Sequence, residues 1–368
     1  MKRLSLLMTL ACLAIVGTAA AQTGDATKTK GSAKAKGSRA ELDALVDKLG
    51  KTPPDWFQAT KLNYPPTLDL SWPEKPEGGW NSQKNVGQFL WDVINPNPGR
   101  WREGVKLMHQ LLTTHQKDPV KRERIMLTLA RMYHNLIEDY GRAAFWYRAV
   151  GVEKDPEEYA KSAVILAECY WRLGFVDEAK ALLAKVPGGL THAKLLGDMG
   201  ETDRSVEMAF AYPDEQGYAA LTAGDACRQA GRYTEAITHY KKVLAMEVPA
   251  KNPPGHLVRN HKRATANIEA IQSIELFDAT KVSDGKYTAA SQGYEGPVEV
   301  TVSVQRGIID SVKVTNHREK QFYSAMTDTP AKIIKKQHVK GVDTTSNATI
   351  TSEAIVNATA KALAEKKK

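Results

Sequence analysis

Cysteine is scarce in this chain of 368 residues, which holds three. Only Cys169 and Cys227 lie beyond residue 12. Two thiols cannot form a disulfide framework, and no C-x-x-C or C-x-x-C-H occurs, which argues against a cysteine zinc site and covalent c-type haem. Long apolar runs are missing too. The one extended run, residues 4–16, is too short to cross a bilayer comfortably. The sequence has no phosphate loop, no G-x-G-x-x-G and no Ser/His/Asp signature, so neither a hydrolase nor a nucleotide dehydrogenase is indicated. Zinc fingers, RNA-binding motifs and basic helices interleaved with aromatics are absent as well, and no nucleic-acid partner is expected. The net charge of +9 does not change this. Much of it sits in KTKGSAKAKGSR at 28–39 and in the closing Lys366-Lys367-Lys368, which read as solvated tails.

What is present is a soluble composition, 42% hydrophobic and 25% charged, with ample material for buried cores. Lys2 and Arg3 precede the apolar run, and Ala19-Ala20-Ala21 supplies small residues for cleavage before Gln22. Residues 1–21 therefore read as a secretory signal peptide, which puts the expected location in the periplasm or cell envelope. Thr9-Leu10-Ala11 before Cys12 is a poor lipoprotein signal, because the apolar run continues past the cysteine. Residues 22–40, rich in Gly, Ser, Thr, Lys and Ala, read as a flexible linker. Residues 41–99 read as an irregular N-terminal cap. Pro53-Pro54, Pro65-Pro66, Pro73, Pro76 and Gly78-Gly79 interrupt any long helix there, while Trp56, Trp72, Trp80 and Trp91 offer packing surface.

Helical periodicity runs from about 100 to 275 and repeats. One copy is Leu166-Ala167-x-x-Tyr170-x-x-x-Gly174-x-x-x-x-Ala179-x-x-x-Leu183, and another is Ala223-Gly224-x-x-Cys227-x-x-x-Gly231-x-Tyr233-x-x-Ala236-x-x-x-Tyr240. An earlier copy carries Leu129-Ala130, Tyr133, Ala143 and Tyr147. A degenerate one carries Gly200, Ser205 and Ala209. The spacing resembles the tetratricopeptide repeat, a helix–turn–helix unit, although Gly174, Gly200 and Gly231 recur at less than its usual period of about 34 residues. Units of this kind stack into a solenoid because one alone cannot bury its apolar face. Cys227 occupies the place of Tyr170 in its own repeat, so both cysteines read as core residues.

Near 275 the period changes from 3.6 to 2. Pro297–Gln305 alternates strictly, Arg306-Gly307 supplies a turn, and Ile308–Val314 reads as the partner strand with an irregularity near Asp310. An earlier strand is expected at 284–289. Thr329-Pro330 reads as the N-cap and first position of a helix, and 353–363 as a final helix with Ile355, Thr359, Ala362 and Leu363 on one side. The fold expected for the chain is an α-helical, tetratricopeptide-like solenoid over 100–275, followed by a small α+β domain over 276–368.

One segment of that domain carries chemistry: Asp343-Thr344-Thr345-Ser346-Asn347-Ala348-Thr349-Ile350-Thr351-Ser352. It resembles the flavinylation motif of the FMN-binding domain family, found in the sodium-pumping NADH:quinone reductase, in Rnf-type complexes and in exported bacterial flavoproteins. The family pattern is Asp, two variable residues, Ser-Gly-Ala-Thr, then often an apolar residue and Thr-Ser. Asn347 stands in place of the Gly, and Asn is among the few other residues that tolerate the left-handed region. The resemblance extends to Asp284-Gly285-x-Tyr287, to Gly293-Tyr294-x-Gly296-Pro297, and to His317-Arg318-Glu319, and so covers about 284–363. It implies that a flavin transferase cleaves FAD and links FMN by a phosphoester to Thr349. It also implies that Asp343, Ser346, Asn347, Ala348, Thr351, Ser352, Tyr294 and Gly296 make up the cofactor-binding set. Asp343 reads equally as a turn-capping residue.

Lys332, Lys335, Lys336, His338 and Lys340 form a basic stretch, read as a solvated helix face or as an attractant for an acidic redox partner. The histidines show no metal-ligand spacing, and two glycosylation sequons at Asn347 and Asn357 read as chance. The function expected is electron transfer by an exported flavoprotein, in association with envelope complexes, through a redox partner docked by the repeats. The alternative is a non-redox scaffold whose flavin domain is degenerate.

Overall fold

The computed structural model describes residues 37–76, 78–214, 216–275, 282–319, 324–342 and 348–364. The signal peptide, most of the 22–40 linker, and Asp343, Ser346 and Asn347 of the flavinylation motif lie outside the described residues.

The cap does not begin irregularly. It opens with helix α1, Arg39–Lys51, set by a capping box in which the Ser38 hydroxyl accepts from the Glu41 amide and the Glu41 carboxylate accepts from the Ser38 amide. The one-turn helices α2, Trp56–Ala59, and α3, Val86–Phe89, follow among the prolines. Helices α4, Trp101–Thr114; α5, Pro119–Met132; α6, Tyr140–Val150; α7, Ala160–Arg172; α8, Val176–Leu183; α9, Leu190–Asp198; α10, Thr202–Phe210; α11, Tyr218–Gln229; α12, Tyr233–Leu244; and α13, Gly255–Glu275 then pack each on the next, except that α9 packs on α7, α10 and α11 and not on α8. Helix α1 closes the beginning of this array by packing on α6, where Arg148 bonds Asp43 and Arg39 bonds Glu153.

The expected helix–turn–helix geometry is present as packed helix pairs. Gly174, Gly200 and Gly231 have φ of 94°, 85° and 76°, the left-handed conformation that ends one helix and admits the tight turn to the next. Ala179 and Ala236 are fully buried at the helix pairs. Tyr170 and Cys227 are fully buried as well, and both cysteines are free thiols in the core.

The C-terminal domain is a three-stranded antiparallel sheet of β1, Gly285–Gln292; β2, Pro297–Gln305; and β3, Ile308–Asn316, in the order β1-β2-β3, with helices α14, Ala325–Lys336, and α15, Thr349–Ala364. Val298, Val300, Val302 and Val304 point from β2 into the core with Ile309, Ile333, Ile355 and Leu363. The expected irregularity near Asp310 is a register shift: Ser303 pairs with Ser311 and Val304 with Ile309, which leaves Asp310 as the extra residue.

Two boundaries differ from the sequence reading. Helix α14 starts at Ala325 and contains Pro330 in its interior, so Thr329 is a buried helical residue and not the cap. The ring forfeits one intrahelical bond, which burial of Ala325, Thr329, Pro330 and Ile333 offsets. Helix α15 starts at Thr349, one turn earlier than expected, and is buried on more than one side. It lies between the sheet and α13, and Ala354, Ala358 and Ala362 form one buried stripe of small side chains along it.

Candidate functional site

Helix α15 begins where Ala348, only 3% exposed, turns the chain inward and its carbonyl accepts the Ser352 amide at 2.8 Å. Thr349 is the first helical residue and is half-buried. At this end the amides of the first turn have no acceptor within the helix, and the backbone dipole favours a negative group. Thr351 and Ser352 are turned into the interior. The Thr351 hydroxyl donates to Glu319 Oε2 at 2.6 Å, and Glu319 Oε1 accepts the Glu295 amide at 3.0 Å. Buried Glu319 thus ties the 293–296 turn to the start of α15.

In that turn the Gly293 amide donates to the Gly296 carbonyl. A Cβ on Gly293 would lie 2.6 Å from Glu319 Oε1, so the close approach needs glycine. Gly296 is buried. Tyr294 is exposed and lies beneath the Arg259 guanidinium of α13, 4.2 Å from its ring centroid.

Thr349 lines two adjoining clefts, both of which run between the C-terminal domain and the helical array. The narrower, about 50 Å³, is bounded by Lys194, Asp198, Thr222, Arg228, Gln229 and Tyr233 on one side and by Val339, Lys340, Val342, Thr349 and Val356 on the other. The wider, about 270 Å³, is bounded by Val164, Glu168, Leu190, Lys194, Tyr218, Thr222 and Thr349. Of the expected site residues among those described, Thr349 alone reaches these clefts. Ala348, Thr351 and Ser352 support it from within the helix, and Tyr294 and Gly296 belong to the turn that Glu319 joins to it.

The sequence reading missed the polar seam behind the clefts. Arg263 of α13 donates to both carboxylate oxygens of Glu353, at 2.8 and 2.7 Å, and also to Asp225. Asn267 donates to Glu353 and accepts from Asn357, and Arg228 donates to Asn357 at 2.7 Å. Burial opposes the charge on Glu353, but Arg263 outweighs it and holds the carboxyl below its usual range. Burial pushes the Asp225 carboxyl up to about 7, because Arg263 offsets the loss of water only in part and Glu353 adds a second negative charge. The signal in the sequence was faint: Asp225, Arg263 and Asn267 occupy interior positions of amphipathic helices, where polar residues are found only if paired.

Lys194 pairs with Asp198 on its own helix. Among the described residues it is the one cation common to both clefts. Glu168, in the wider cleft, is paired with buried His134 at 3.3 Å. Lys340 lies over the Tyr233 ring at 5.3 Å, joining the two sides of the narrower cleft. Among the described residues no helix is long and apolar enough to cross a membrane, and no group of His, Cys, Asp and Glu is arranged to hold a metal ion.

Comparison with known proteins places a family on one part of this arrangement. No solved structure matches the chain. An uncharacterized protein of Treponema pallidum (strain Nichols) is 33% identical over 110 residues, a stretch that covers 29% of this chain and 30% of that relative. The match therefore spans less than a third of the relative's length. The model of the FMN-binding domain matches residues 293–364, from the Gly293 turn through the whole of α15. The chain thus carries an FMN-binding domain at its C-terminus, and the helical region before it lies outside that family match.

Proposed function

We propose that this protein is an exported flavoprotein that carries FMN covalently on Thr349 and passes electrons to or from a redox partner docked by its helical array. The observation that carries the reading is the position of Thr349: inside the matched domain, at the first residue of α15, facing two clefts. The residues present fit the group. The hydroxyl of Thr349 supplies the ester oxygen, and the amides at the start of α15 suit a phosphate. Lys194, Arg228 and Lys340 line the narrower cleft together with the carboxylates of Asp198, Asp225 and Glu353, so its charges are mixed and the helix-start amides carry the case for the phosphate. The wider cleft, at about 270 Å³, approaches the lower end of the roughly 300–1,000 Å³ usual for small-molecule sites.

In the maturation step the Thr349 oxygen attacks the FMN phosphorus of FAD. The phosphoanhydride bond breaks, AMP leaves and the hydroxyl proton is released. When bound, the flavin supplies electron transfer, and the protein sets its position and potential. Covalent attachment suits a location in the periplasm or cell envelope, where a lost cofactor is not readily replaced. The tetratricopeptide-like array fits partner docking because stacked helix pairs create an extended surface.

The test is co-expression of the full chain with a flavin transferase, followed by in-gel fluorescence under denaturing conditions. The wild-type band is expected to fluoresce. Thr349→Val, which keeps the shape and removes the only reactive atom, is expected to be dark. A fluorescent Thr349→Val band assigns the attachment elsewhere, and a dark wild-type band favours the scaffold reading.

A further inference from the structure

We infer that the helical array forms one wall of the flavin pocket, with Lys194 of α9 as the cation and Tyr218 of α11 as the aromatic side chain that the isoalloxazine ring meets. The inference rests on the covalent reading of Thr349 and assigns the rest of the site to residues outside the FMN-binding domain.

The argument begins with a tether. A flavin joined to Thr349 through its phosphate and ribityl chain can reach only the space around that residue. Both clefts at Thr349 are walled on the far side by the helical array. Among the described residues, the wider cleft, about 270 Å³, takes all of its lining except Thr349 from α7, α9 and α11. Val164, Ile165, Leu190 and Leu195 give it an apolar wall, and the remaining side chains around it are polar, the carboxylates of Glu168 and Asp198 among them.

The two sides are held in register. Arg263 clamps Glu353, one turn along α15 from Thr349, while Arg228 holds Asn357 and Lys361 holds Glu269. Three ties along α15 keep the wall from moving away from the tether. Lys194 is itself positioned by Asp198 at i+4. Lys194 is shared by both clefts and stands between the carboxylates of Asp198 and Glu168, so its removal would leave those negative charges facing a bound flavin without their cation. A fixed cation beside a flavin favours its reduced form and raises its potential. Tyr218 is half-buried and lines the wider cleft. A tyrosine in contact with an isoalloxazine quenches its fluorescence.

The experiment uses the full chain, flavinylated by co-expression, as wild type, Lys194→Gln, Tyr218→Leu and, as a control on an exposed site away from the clefts, Lys185→Gln. Intact mass first establishes flavin on each, and far-UV circular dichroism establishes folding. Lys194→Gln is expected to lower the ratio of reduced to oxidised flavin about tenfold at a fixed ambient potential, equivalent to about 30 mV for a two-electron couple. Tyr218→Leu is expected to lose the quenching that native wild-type protein shows relative to unfolded protein. Lys185→Gln should match wild type in both readouts. Flavin present on folded Lys194→Gln and Tyr218→Leu, with wild-type potential and quenching, would overturn the inference and leave the Thr349 reading standing. A wild-type chain that never acquires flavin would overturn both.

Discussion

Asp225 carries a charge that its surroundings oppose. Its neighbours are Arg263, Glu353, Arg228 and the Tyr240 hydroxyl, which donates to it at 2.8 Å, and burial with Glu353 nearby moves its pKa from 3.8 to about 7. The folded chain therefore binds that proton more tightly than the unfolded chain. The resulting stabilisation is complete below about pH 4 and is lost as pH rises through about 7. Glu353, held below its ordinary value, acts in the opposite sense and at lower pH. Melting temperature should thus fall between pH 5 and 8 in wild type and fall less in Asp225→Asn, which cannot ionise there. Equal slopes would show that Asp225 is already ionised across that range. A second residue tests the repeat register. Ala179 is fully buried where α7 meets α8, so Ala179→Leu should overpack the pair and cost about 1–3 kcal/mol in chemical denaturation. A loss near zero would mean the register is wrong.

At the scale of elements, α15 is the piece on which both halves of the molecule close. Its sheet-facing side was legible in the sequence from Ile355, Ala362 and Leu363. The opposite side was not, because it is buried by α13, and Glu353 and Asn357 look like solvent positions until their partners are known. The period-2 strands and the extra residue at Asp310 were legible because alternation and its interruption are local. The starts of α14 and α15 were not, because Pro330 resembles a first-turn proline and only tertiary burial extends the helix past it. Helix α1 was overlooked although its signal is plain: Ser38 and Glu41 stand at capping-box spacing. The clamp on α15 yields a sharp expectation. Arg263→Met removes the cation shared by Asp225 and Glu353 and should cost about 3–5 kcal/mol in urea unfolding, since it leaves buried carboxylates uncompensated. A cost below about 1 kcal/mol would show that water or a proton replaces the arginine without penalty.

At the scale of the whole molecule, a helical array and a small α+β domain meet along a seam, and the residue that the family resemblance singles out opens onto that seam. Thr349 could be put forward as the attachment residue from sequence because the motif that suggests it is a contiguous stretch of chain. The walls opposite it were not, since Lys194, Tyr218 and Thr222 are brought to Thr349 by helix stacking over more than a hundred residues of separation. The central claim is that Thr349 bears FMN. Its most direct test is tandem mass spectrometry of the tryptic peptide 341–361 from protein co-expressed with a flavin transferase. That peptide also holds Thr344, Thr345, Thr351 and Thr359 as internal alternatives. The account predicts the FMN mass on Thr349 and on no other hydroxyl of the peptide. The same mass on Thr344, Thr345 or Thr351, or a peptide that is never modified, would contradict it.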